Sequence, residues 1–125
     1  MFAELGHPAT AAQLAGRLAR LARDETYEAW VAVNADVVTG FAAGHIVHPV
    51  EDDTPAAQLI ALVVSADARG SRVGSDLCAA FEGWAIEQGA GRAVVTSGSH
   101  RLSAHRFYER LGYERSGLRF GKKLR

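Results

Sequence analysis

Gln58 to Val64 is a nearly unbroken apolar run, closed by a small, polar and basic segment from Ser65 to Gly74. A run of this kind, without polar alternation, predicts a strand buried on both faces. A helical stripe follows at once: Val73, Leu77, Phe81, Trp84 and Ala85, to about Gln88, with Gly89 as the C-terminal stop. Arg92 to Ser97 reads as the next strand. Strand, helix, strand in that order means a parallel pair joined by a right-handed crossover. The chain is therefore a mixed α/β or α+β domain.

The flanking segments complete the order. Thr10 and Gln13 form a capping box, and Leu14, Leu18 and Leu21 make the buried stripe of a first helix. Arg17, Arg20 and Arg23 lie off that stripe and read as a solvated face. Tyr27 to Val33 and Val37 to His48 read as an antiparallel hairpin around Asn34-Ala35-Asp36. A loop with Glu51, Asp52 and Asp53 runs from Pro49 to Pro55. After the parallel pair come a short helix, about Ser103 to Leu111, ended by Gly112, and two short strands at Tyr113 to Ser116 and Arg119 to Leu124.

Composition narrows the class. A chain of 125 residues fits a single domain, expected over 1–125. Fourteen basic residues balance fourteen acidic ones, so bulk charge does not draw it to nucleic acid. One cysteine, Cys78, cannot close an internal disulfide and reads as helix packing. The N-terminus has no basic n-region or apolar h-region, and no apolar run approaches the ~20 residues of a membrane span. The expectation is a reduced, cytoplasmic protein that does not enter a membrane.

The segment from Arg69 to Ser75 carries the chemistry. A strand ends, a loop of Arg, Gly and Ser follows, and a helix begins, with its free N–H groups and positive end pointing outward. Such an end binds phosphate, Gly70 and Gly74 permit close backbone approach, and Arg69 and Arg72 add charge. The lysine of a P-loop is missing, and two glycines do not make a dinucleotide fingerprint. From these residues alone, a plain helix-initiating turn remains open. His100 and His105 have no cysteine neighbour, so no metal site is expected.

Two segments in order resemble the GNAT superfamily of acyl-CoA-dependent N-acyltransferases. The first is Leu62-Val63-Val64 followed by Arg69-Gly70-Ser71-Arg72-Val73-Gly74. The second is Ala104-His105-Arg106-Phe107-Tyr108-Glu109-Arg110-Leu111-Gly112-Tyr113. The resemblance implies a mixed, mostly antiparallel sheet with a central parallel pair and flanking helices. It implies acetyl-CoA as co-substrate, an amine acceptor, and direct attack in a ternary complex. By the same resemblance, Leu62, Val63 and Val64 pair with the pantetheine arm. Backbone groups over 70–75, from Gly70, Ser71, Arg72, Val73 and Gly74 to Ser75, cradle the pyrophosphate beside Arg69. A backbone N–H near Val64 polarises the thioester, and Tyr108 protonates the departing thiolate.

The sequence departs from that pattern in four places. Arg72 stands at the first glycine of the motif, and Arg101 where an asparagine often contacts the cofactor. The strand Gln58 to Leu62 holds no acid to serve as base. His45, His48 and the acidic loop remain as candidates; the two histidines, three apart, face opposite sides of their strand, and the loop would favour a cationic amine. The first strand and most of the first helix of the family fold, roughly 17 residues, are not found. The hairpin would then expose an edge, which a homodimer would cover. The alternative function is a truncated domain that binds acyl-CoA or a protein partner without efficient catalysis.

Overall fold

The computed structural model describes residues 11–95, 102–115 and 121–124. Helix α1 spans Ala11–Ala22, strand β1 Tyr27–Asn34, β2 Val37–Val47 and β3 Ala56–Val64. A short 3₁₀ turn, Ala66–Ala68, leads to α2, Val73–Glu87; β4 is Arg92–Val95 and α3 is Leu102–Arg110. The strands form one sheet in the order β1-β2-β3-β4. The first three are antiparallel neighbours, and β3 and β4 run parallel, as the crossover through α2 requires. Among the described residues, no helix is long and apolar enough to cross a membrane.

The β1–β2 hairpin closes on Ala35 and Asp36, both in the left-handed region (φ 50° and 65°). Two consecutive positive φ values are the hairpin geometry that matches strand twist. Asparagine and glycine usually supply it; here alanine and aspartate do.

Helix α2 lies on one face of the sheet and makes the core. Ala42, Ile46, Ala57 and Leu59 of the strands meet Leu77, Cys78, Phe81 and Ala85 of the helix. Close approach depends on two glycines of β2. A Cβ on Gly40 would stand 2.7 Å from Val73 and 2.8 Å from Leu77. One on Gly44 would stand 2.8–3.0 Å from the rings of Phe81 and Trp84. Trp30 of β1 completes the aromatic cluster, edge-on to Trp84 at 5.6 Å and to Phe81 at 6.3 Å.

The expectation that Gln58 to Val64 is buried on both faces is met only in part: Leu59 on the α2 face and Val63 on the opposite face are both buried, but Ile60 is exposed. The reason is a β-bulge. Gly44 pairs with Leu59 and Ala43 with Ala61, leaving Ile60 as a surplus residue. Leu59 and Leu62, three apart, thus both face α2, and the run lost the alternation that would have marked a half-buried strand.

Other differences lie at the ends. β2 stops at Val47, so His48 is in the exposed loop and not on the strand with His45. Residues 113–115 and 121–124 are not strand. Tyr113 instead turns back on α3, its N–H bonding the carbonyl of Tyr108, and so is not extended for a ladder. Residues 121–124 are exposed and join no ladder with the described strands. The expected cap at Thr10, the end of the fourth strand at Ser97, and Arg101 lie outside the described residues.

Candidate active site

The expected cofactor residues form one continuous path. Gly40, Phe41 and Ala42 of β2 pair with Val64, Val63 and Leu62 on one side. On the other side, the last described β3–β4 pair is Leu59 with Val95, so the edge of Ile60–Val64 has no described partner strand. An extended arm can hydrogen-bond to such an edge as an added strand does. Beyond it, Ser65 N–H bonds Thr39 carbonyl at 2.9 Å and fixes where the strand ends.

The loop after the 3₁₀ turn is internally braced. The Ser71 hydroxyl and N–H both donate to the carbonyl of Ala68. Gly70 has φ +83°, a conformation side chains rarely adopt. Arg72 has φ −86° and an exposed side chain, so replacing the family's glycine there imposes no backbone strain. It stands at the N-cap of α2 without capping through its side chain. Among the described residues, the amides of Gly74 and Ser75 find no acceptor. They are donors at the positive end of a fifteen-residue helix, and Arg69 and Arg72 are exposed beside it.

Gly74 has a second task that the sequence did not reveal. Its α-carbon is buried under α3: a Cβ would lie 3.2 Å from the tip of the Phe107 ring and 3.6 Å from Val64. The absent side chain therefore lets α3 dock on the first turn of α2. Phe107, Tyr108 and Leu111 all pack against the α2 core. Tyr108 is half-buried, edge-on to Phe107 at 5.2 Å and to Tyr113 at 5.9 Å. The fold thus gathers the strand edge, the helix start and the tyrosine into one region. It does not bring in the acidic loop, which is exposed; Asp52 accepts a hydrogen bond from the Thr54 N–H within the loop itself.

Residues 3–113 match the Acetyltransferase (GNAT) family. The chain belongs to that family. A stretch of 63 residues is 43% identical to an aminoalkylphosphonate N-acetyltransferase of Salmonella typhimurium, covering 50% of this chain and 41% of that protein. The aligned stretch thus spans about two fifths of that relative's length. The fold superimposes on a GNAT family acetyltransferase from Staphylococcus aureus with a TM-score of 0.84. The identity is 19%, over 99% of this chain and 84% of that one. An aminoglycoside N-acetyltransferase solved with CoA gives a TM-score of 0.81 at 19% identity, covering 91% and 87% of the two chains. Among the described residues, no three His, Cys, Asp or Glu side chains are grouped to hold a metal ion.

Membership in the family leaves open which side chains meet the acceptor. Two groups outside the family motifs stand out. His45, on the sheet face away from α2, stacks on Tyr27 with ring centroids 4.0 Å apart and planes 10° from parallel. Arg17 and Arg20 are exposed, as read from the sequence, and border an open surface depression with Asp24 and Tyr27.

Proposed function

We propose that this chain is an N-acetyltransferase. It moves an acetyl group from acetyl-CoA to a primary amine of a small molecule or peptide by direct attack in a ternary complex. The amine lone pair attacks the thioester carbonyl carbon, the C–S bond breaks, and the thiolate takes a proton from Tyr108. The nitrogen releases its extra proton to water, which an amine near its reactive state can use as base.

One juxtaposition carries this reading. Phe107 seats α3 on Gly74 at the start of α2, whose amides suit a pyrophosphate, and Tyr108 is the next residue of that helix, packed on Phe107. The names of the relatives, acetyltransferases of aminoalkylphosphonates and of aminoglycosides, support an amine acceptor. Free thiol released from acetyl-CoA over a panel of amines tests the proposal. Turnover that falls about a hundredfold or more in Tyr108→Phe is expected of a general acid. CoA binding by calorimetry with no turnover on any amine would favour a binding domain instead. No CoA binding would overturn both.

A further inference from the structure

Helix α3 carries Tyr108, and its nine residues are too few to hold a pose on their own. What it leans on sets its position. Phe107 is one anchor, against Gly74 near the start of α2. The second anchor is at the other end of the helix. Gly112, at φ +94°, reverses the chain. Its N–H bonds the Glu109 carbonyl at 3.1 Å, and the Tyr113 N–H bonds the Tyr108 carbonyl at 3.0 Å. This pair of bonds is the glycine-ended helix stop that folds the residue after the glycine back on the one five positions earlier. Here those two residues are Tyr113 and Tyr108, and their rings meet edge-on at 5.9 Å.

Tyr113 is in turn fixed at its far end. Its phenol donates to Glu82 Oε2 at 2.8 Å. Among the described residues no cation pairs with Glu82, so its carboxylate is left to the phenol. Gly74 and Glu82 are eight residues apart, roughly 12 Å along α2. One contact would let α3 pivot. The Phe107 and Tyr113 contacts together fix its direction along α2. The Tyr108 ring makes edge contacts with both, at 5.2 Å to Phe107 and 5.9 Å to Tyr113.

We propose that Glu82 and Tyr113 are positioning residues for acetyl transfer: the bond between them fixes the Tyr113 ring, and that ring fixes the orientation of Tyr108. The catalytic meaning rests on the proposed role of Tyr108 as proton donor. The geometric part rests on the contacts alone. A proton donor must lie within hydrogen-bond reach of the atom it protonates. A misplacement of about 1 Å can cost a hundredfold in rate. Neither Glu82 nor Tyr113 has to touch a substrate to have this effect.

Three variants of the full chain test it. Tyr113→Phe keeps the rings and the glycine stop and removes only the phenol. Glu82→Leu removes the acceptor, and Glu82→Gln keeps an acceptor oxygen. With acetyl-CoA and an amine that is turned over, kcat is expected to fall about tenfold in Tyr113→Phe and in Glu82→Leu. KM for acetyl-CoA should stay within about twofold, and Glu82→Gln should recover most of kcat. If the clamp acts through the Tyr108 hydroxyl, adding Tyr113→Phe to Tyr108→Phe costs nothing further in kcat. Losses that multiply, or a higher KM with kcat kept, overturn the proposal. A second measurement needs no turnover: NOEs from the Tyr108 ring to the rings of residues 107 and 113 in the folded chain. They are expected to weaken in Tyr113→Phe and Glu82→Leu and to persist in Glu82→Gln. If they do so and no amine is acetylated, the clamp on Tyr108 stands and only the acetyltransferase reading fails. NOEs unchanged in all three variants overturn the clamp itself.

Discussion

The phenol of Tyr113 donates a 2.8 Å hydrogen bond to Glu82 Oε2, tying the chain just after α3 to the middle of α2. Burial and the neighbouring Glu82 carboxylate both hold Tyr113 protonated well above the ordinary tyrosine range. A raised folded-state value means that its contribution to stability is complete below pH ~10, where the unfolded phenol is still protonated, and is lost as pH rises beyond it. Tyr113→Phe is expected to cost about 1 kcal/mol at neutral pH and to flatten the fall in urea midpoint above pH 10. An unchanged alkaline slope would mean that another group is responsible.

Cys78 follows the same sign. Desolvation, then the neighbouring Glu82 carboxylate, pushes its thiol up to about 11. The native thiol should stay protonated and resist alkylation at pH 8, and react once urea exposes it. Rapid labelling of the folded chain would contradict this.

Gly74 joins helix packing to the candidate site. Gly74→Ala puts a methyl 3.2 Å from the Phe107 ring, so α3 must shift by a few tenths of an ångström or Phe107 must tilt. We expect a loss of about 1 kcal/mol in stability, a higher KM for acetyl-CoA and a lower kcat. Phe107→Leu in the same chain should recover part of the stability, a coupling measurable as a double-mutant cycle.

Gly44 has no such room to relax. Its Cβ would meet Phe81, which has no exposed surface, and Trp84 at 2.8–3.0 Å. Gly44→Ala should cost about 1–3 kcal/mol by chemical denaturation. Gly83→Ala on the exposed side of α2, where a Cβ meets nothing within 4 Å, should gain about 0.5–1 kcal/mol in helix propensity.

The hairpin turn offers the opposite sign. Ala35 at φ 50° sits where glycine or asparagine is at ease. Ala35→Asn is expected to stabilise the chain by about 0.5–1 kcal/mol, read as a higher melting temperature with unchanged activity.

The element order was legible because it rests on periodicity and punctuation. Val73, Leu77, Phe81 and Ala85 mark the α2 face, and Gly89 and Gly112, both at positive φ, stop their helices as glycine does. The loop from Arg69 to Ser75 and Tyr108 were legible only through the family pattern, since a bare strand-to-helix turn is common. What could not be read is what depends on contacts between distant segments. Gly74 looked like a ligand-facing glycine, yet Phe107, 33 positions later, occupies the space beside it. Arg17 and Arg20 are exposed, as a wet helix face requires, and only the turn after α1 brings Asp24 and Tyr27 beside them. The strand expected at Tyr113 was given up to a bond with Glu82, which local propensity does not anticipate.

Ile60 separates two properties that a strand usually ties together. Because it is the surplus residue, every core pairing on either side already has its partner without it: Leu59 with Gly44, Ala61 with Ala43, Leu62 with Ala42. A chain lacking Ile60 can zip into an uninterrupted ladder, with Leu59 and Leu62 still inside, and only the bend at the bulge is erased. Shape at the edge is thus an adjustable setting, one codon wide, that selection or an engineer can change while the hydrophobic interior stays as it was.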